Sequence, residues 1–115
     1  MSTNISKNNE QIEEINNTYK RVIFGMFLAE TTMTAPVDFG SRFVGNFTQN
    51  IVALKSSPYI STIDKNINAK SILGLLSADI RKGDTIRIQT ISNTSYEQAE
   101  SNLKIITELI NNEIK

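Results

Sequence analysis

The chain contains no histidine and no cysteine among its 115 residues. Without imidazole there is no side chain that titrates near neutrality to relay protons or carry a covalent intermediate. Without thiols there is neither a disulfide framework nor a thiolate nucleophile. A zinc or transition-metal site would have to be built from carboxylates alone, a donor set those ions disfavour. Charge of one sign is also missing: Lys and Arg total 12, Asp and Glu total 12, and the formal net charge is zero. The basic residues are scattered, which argues against a nucleic-acid binder driven by phosphate neutralisation. No Gly-rich phosphate loop occurs. Asp38, Asp64, Asp79 and Asp84 fall in or near expected turns, and Glu97, Glu100 and Glu108 on an expected helix, where solvation accounts for them. The composition reads as that of a non-enzyme without cofactor or metal.

The length fits one domain with a modest core. Lys20-Arg21 followed by Val22-Ile23-Phe24-Gly25-Met26-Phe27-Leu28-Ala29 superficially resembles a signal peptide. An acidic, Asn-rich leader precedes it, Glu30 follows it, and it is too short to span a bilayer. A buried strand is the better reading, and a cytoplasmic location the expectation. Residues 1–23 form a polar N-terminal extension, expected to be partly helical or disordered. Ile12, Ile15, Tyr19 and Val22 recur at helical spacing, which makes a short amphipathic helix plausible over its second half. Residues 24–115 form the domain proper.

Along that domain, Phe24 to Met33 reads as a strand ended by Pro36. Ser41 is a candidate N-cap for a helix with Phe43, Phe47, Asn50, Ile51 and Leu54 at helical offsets, closed by Ser56-Ser57-Pro58. Tyr59-Ile60-Ser61-Thr62-Ile63 and Ile67 flank Asp64-Lys65-Asn66 as a tight hairpin. Ser71 opens a short apolar helix ending near Asp79, and Lys82-Gly83-Asp84 make a turn. Thr85 to Ile91 is rich in β-branched residues, a strand. Ser95 with Gln98 forms a capping box for a last helix, whose stripe is Ala99, Leu103, Ile106 and Ile110. The order β-α-β-β-α-β-α predicts an α+β two-layer sandwich, a four-stranded sheet with three helices on one face, plus the extension.

The segment Asn68-Ala69-Lys70-Ser71-Ile72-Leu73-Gly74-Leu75-Leu76-Ser77 is the most specific stretch in the chain. It resembles the regulatory-serine segment of HPr, the small phosphocarrier of the bacterial sugar phosphotransferase system. The element order from about Phe27 to Ile110 is also that of HPr, with an antiparallel sheet. Arg42 ahead of the first helix and Lys82-Gly83 before the last strand add to the likeness. In that family the phosphorylated histidine lies two residues before the arginine matching Arg42; here that position is Gly40. Asp38 stands where the family usually has glycine, and Phe43 where it has proline. The resemblance is therefore to the catabolite-repression paralogues of HPr, which also lack the histidine and keep the serine.

What the resemblance implies is a regulatory protein-binding module rather than a carrier. Ser71 would be phosphorylated by an ATP-dependent HPr kinase, and a transcriptional regulator would bind the product. The amides of the first helical turn would stabilise the phosphate, with Lys70 adjacent. Ile72, Leu73 and Leu76 would form an apolar docking rim, and Arg42 an anion or partner contact. From the residues alone, the better account of Ser71 is a plain helix cap, and of the apolar residues a place in the core. A second expectation is an assembly module that uses the extension as its binding element. Direct nucleic-acid or membrane binding is not expected, and homodimerisation through a sheet edge stays open.

Overall fold

The computed structural model describes residues 4–5, 11–15, 18–23 and 25–112. Seven strands and three helices follow in chain order: β1 (Asn4–Ile5), β2 (Gln11–Ile15), β3 (Thr18–Ile23), β4 (Met26–Thr34), α1 (Ser41–Ile51), β5 (Ser57–Ser61), β6 (Asn66–Asn68), α2 (Ile72–Ala78), β7 (Thr85–Ser92) and α3 (Tyr96–Asn112). They form one antiparallel sheet in the order β1-β2-β3-β4-β7-β5-β6. The last four of these strands, with the three helices on one face, are the expected α+β sandwich.

Register decides which residues form the core. β7 buries Ile86, Ile88, Thr90 and Ser92 while Thr85 and Arg87 stay exposed, the period-2 pattern of a strand covered on one face. Pairing sets Ala29 opposite Thr90 and Met33 opposite Ile86, so the β4 residues on that face turn toward the helices too. α1 contributes Phe43, Val44, Phe47 and Ile51, and α3 contributes Ala99, Leu103, Ile106 and Ile110. These close on Ile60, Ile86 and Ile88. Phe39, Phe43 and Phe47 make an aromatic run, with centroids 4.4 Å and 5.5 Å apart along it. Two buried polar groups are satisfied within this layer: the Thr90 hydroxyl donates to the Ala99 carbonyl, and the Asn102 amide donates to Ser56 Oγ at 2.7 Å.

The helical spacing of Ile12, Ile15, Tyr19 and Val22 does not become a helix. Gln11–Ile15 and Thr18–Ile23 are strands, the second paired with β4 along its whole length, from Thr18 opposite Thr31 to Ile23 opposite Met26. The apolar run expected as one buried strand is instead split between β3 and β4. Gly25, at φ +80°, lies in the intervening turn, and Phe24 lies outside the described residues. The β-branched residues and the open edge of β4 together outweigh the helical spacing. Of residues 1–10 in that extension, Asn4–Ile5 is a strand and the remainder lies outside the described residues.

Lys20 fixes the extension to the helical layer. Its position opposite Ala29 points it toward α3, where Nζ lies 3.0 Å from Glu100 Oε2 and 5.8 Å from the centre of the Tyr96 ring. Tyr96 in turn meets Phe27 edge-on at 5.1 Å. Among the described residues beyond its chain neighbours, no atom lies within 4 Å of a Cβ placed on Gly25, so the cost of substitution there lies in the left-handed backbone. Gly25→Ala is expected to weaken the β3–β4 turn by about 1–2 kcal/mol. Amide hydrogen exchange should then accelerate about tenfold across residues 18–23 and stay unchanged in β7.

Candidate functional site

The segment carrying Ser71 is built by short-range hydrogen bonds. Asn68 ends β6; its side-chain Oδ1 accepts from the Lys70 N–H at 2.9 Å, and its carbonyl accepts from the Ser71 N–H at 2.9 Å. This tight turn leaves Ser71 extended, at φ −94° and ψ 109°, the conformation of an N-cap. Ser71 Oγ accepts from the Gly74 N–H at 3.0 Å, and the Ser71 carbonyl accepts from the Leu75 N–H, the first helical bond. Gly74 is a spatial requirement: a Cβ there would lie 3.0 Å from Ser71 Oγ and 3.1 Å from Ile67 Cγ2.

α2 presents two faces. Leu75 is fully buried and Leu76 packs against the core, so Leu76 does not belong to an exposed rim. Ile72 and Leu73 do: they are 49% and 78% exposed, beside the half-buried Ser71. Lys70 lies elsewhere than the sequence suggests. Its Nζ donates to the Leu54 carbonyl at 2.6 Å, holding the ammonium on the loop after α1. At the far end of α2, Asp79 takes the left-handed conformation (φ 52°) and its N–H donates to the Leu76 carbonyl. Arg81 Nε donates to Asp79 Oδ1 at 2.8 Å. That hydrogen bond, reinforced by the guanidinium charge, holds the Asp79 carboxyl below its ordinary range. Lys65 donates to the Ser77 carbonyl at 3.2 Å, a cation at the negative end of the helix.

The second predicted locus sits at the start of α1. Gly40, at φ −83° and ψ 179°, is the N-cap, so Ser41 is the first helical residue and not the cap. As a glycine, that cap supplies no side-chain hydrogen bond to the first-turn amides. Gly40, Ser41 and Arg42 are exposed and share a shallow depression with Val37, Asp38, Phe43 and Asn46. The preceding loop is stapled to the turn before β7: the Phe39 N–H donates to the Ile80 carbonyl, and the Lys82 N–H to Asp38 Oδ1 at 2.8 Å. Asp38 is therefore a structural acceptor here. The capping box is half formed: Ser95 Oγ accepts from the Gln98 N–H, but the Gln98 side chain accepts from the Ser92 hydroxyl instead of returning to Ser95. Sequence reading passed over Val52, 64% exposed just past α1, since a residue beyond a helix end carries no periodic signal.

Among the described residues no group of acidic side chains is placed to hold a metal ion, and no helix is long and apolar enough to cross a membrane. What the Ser71 segment offers chemically is a hydroxyl at a helix start beside two exposed apolar side chains. Ser71→Ala is expected to cost about 1 kcal/mol, read as a lower urea midpoint, while Ser71→Asp keeps the cap and stays near wild type. The Asp79–Arg81 contribution has a defined pH sign. A carboxyl held low in the fold stabilises above its unfolded value of 3.8 and loses that contribution as pH falls through the lower folded value. Asp79→Asn is thus expected to be less stable than wild type at neutral pH, with the gap closing below that window in acid-unfolding curves.

The family model described as "PTS HPr component phosphorylation site" matches residues 29–112, from within β4 to the end of α3. Phosphocarrier protein HPr from Neisseria meningitidis serogroup A is 32% identical over 71 residues, which is 62% of this chain and 75% of that protein; the serogroup B protein matches equally. Among solved structures, a phosphocarrier protein HPr from Bacillus anthracis superposes with a TM-score of 0.63 at 24% identity, covering 72% of this chain and 96% of that one. HPr-C-His from Thermoanaerobacter tengcongensis gives 0.61 at 23% identity, covering 71% and 90%. The structural likeness establishes the open sandwich fold, and the family match together with the N. meningitidis relatives establishes kinship: the chain belongs to the HPr family of the phosphotransferase system.

Proposed function

We propose that this chain is a regulatory HPr-family protein that works by binding other proteins and does not pass phosphoryl groups through a histidine. The observation that carries the reading is the pairing of a sequence without histidine with a half-buried helix-cap serine flanked by exposed apolar residues. Gly40 takes the place of the phosphohistidine, and Arg42 remains as an anion or partner contact. Ser71 is the phosphorylation site, modified by an HPr kinase. Phosphate on Ser71 lies at the positive end of α2, where first-turn amides favour an anion. It changes surface charge without melting the helix. Ile72 and Leu73, next to that charge, form the docking contact for a transcriptional regulator of carbon-source genes. Lys70, engaged by Leu54, supports the turn rather than the phosphate. The protein acts in the cytoplasm.

A second reading, an assembly role for the extension, draws on one observation: the continuous pairing of β3 with β4 makes residues 18–23 part of the sheet, so β1 and β2 carry its outer edge. Removing residues 1–22 also uncovers β4, so truncation alone does not separate the two readings. A Ser71 variant that keeps the cap does.

The test is intact mass after incubation with ATP and an HPr kinase, for wild type and Ser71→Asn, which retains the cap without a phosphorylatable hydroxyl. One phosphoryl group gained by wild type and none by the variant is the expected result; no gain by either refutes the serine switch. Incubation with phosphoenolpyruvate and Enzyme I is expected to add none, because there is no imidazole to accept it.

A further inference from the structure

The face of the sheet turned away from the helices carries a group of side chains that the family match and the serine segment leave unused. Register places Thr32 on β4 and Ser61 on β5 on either side of Arg87 on β7. Thr85 lies two residues before Arg87 and so on the same face. With Thr62 and Ile63 at the end of β5 these residues line an open cavity of about 420 Å³. Arg87 has one ion pair among the described residues, a loose one: Nε stands 3.9 Å from Glu30 Oε2, beyond hydrogen-bond reach, while Glu30 Oε1 accepts from Gln89 at 3.1 Å. The terminal guanidinium nitrogens and the hydroxyls of Thr32 and Thr85 make no hydrogen bond among the described residues. Ser61 and Thr62, by contrast, donate to Asn66 and Asp64 within their own turn. Ile63 is fully exposed at the rim, where folding gains nothing from a large apolar side chain.

We propose that this cavity binds a phosphomonoester whose organic substituent is apolar. A planar fork flanked by two hydroxyl donors suits an anion with several acceptor oxygens, and the ester substituent lies against Ile63. Glu30 is the built-in competitor: it draws on the same guanidinium and weakens the anion by like charge. The site is distinct from the Ser71 segment and does not depend on its phosphorylation.

Phenyl phosphate titrated into the full-length ¹⁵N-labelled protein tests the proposal by amide chemical shifts. Saturable shifts are expected at Thr32, Thr62, Ile63, Thr85 and Arg87, with inorganic phosphate and benzoate both binding more weakly. Arg87→Gln is expected to raise Kd by about tenfold, and Glu30→Gln to lower it by about threefold. The opposite signs separate a ligand contact from a general loss of fold, and the unliganded spectrum of each variant reports folding directly. Equal affinity in Arg87→Gln and wild type, or shifts centred on Gly40 to Arg42, would overturn it.

Discussion

The β4–β7 ladder is the pairing on which the rest of the molecule depends. It runs over eight positions, from Phe27 opposite Ser92 to Thr34 opposite Thr85, at the centre of the sheet. Each of its strands carries one further neighbour, β3 on β4 and β5 on β7. A slip of one residue would send Ala29 and Met33 to the open face and bring Glu30 and Thr32 under the helices. The buried Thr90–Ala99 bond and the fully buried Ile86 and Ile88 hold β7 in place on the helical side. The composition of the opposite face is a consequence of the same register, which lines up Thr32, Arg87 and Ser61 in one row.

What was legible in the sequence follows from range. The alternation in β7, the stripe of α3, the hairpin around Asp64-Lys65 and the cap at Ser71 are local patterns, and each matches the structure. Side-chain destinations set by distant residues were not legible. Lys70 sits beside Ser71 in sequence, yet its ammonium bonds a carbonyl sixteen residues away. Lys20 reads as the charged flank of an apolar run, and Glu100, which pairs with it, lies eighty positions later. In the extension, Ile12, Ile15, Tyr19 and Val22 satisfy helical spacing although residues 11–15 and 18–23 are strands. The arbiter was the free edge of β4, a feature with no local signature. Gly25 was the one local clue to the turn.

The two loci at helix starts differ in how firmly they are held. α2 is tied at both ends, by Ser71 and Gly74 at its start and by the left-handed Asp79 at its end, and is seated through Leu75. An added charge at its start therefore meets a fixed backbone. The start of α1 has no side-chain cap, and its loop is held from outside, through Ile80 and Lys82. The family is built around phosphoryl chemistry, and in this chain the better-organised of the two loci is the one centred on a serine.

The direction in which the chain enters the sheet has a kinetic consequence. β4 opens the domain proper at the flank of the four-stranded sheet, so a segment immediately before it meets that flank through a tight turn. β3 then pairs with residues only a few positions away, closing a very small loop, and β2 repeats the step on β3. Such additions lower the mean sequence separation of contacts even as they lengthen the polypeptide. Strands grafted on this side can zip up after the nucleus forms without slowing the search for it, whereas the opposite flank, β6, lies mid-chain between β5 and α2 and offers no such freedom.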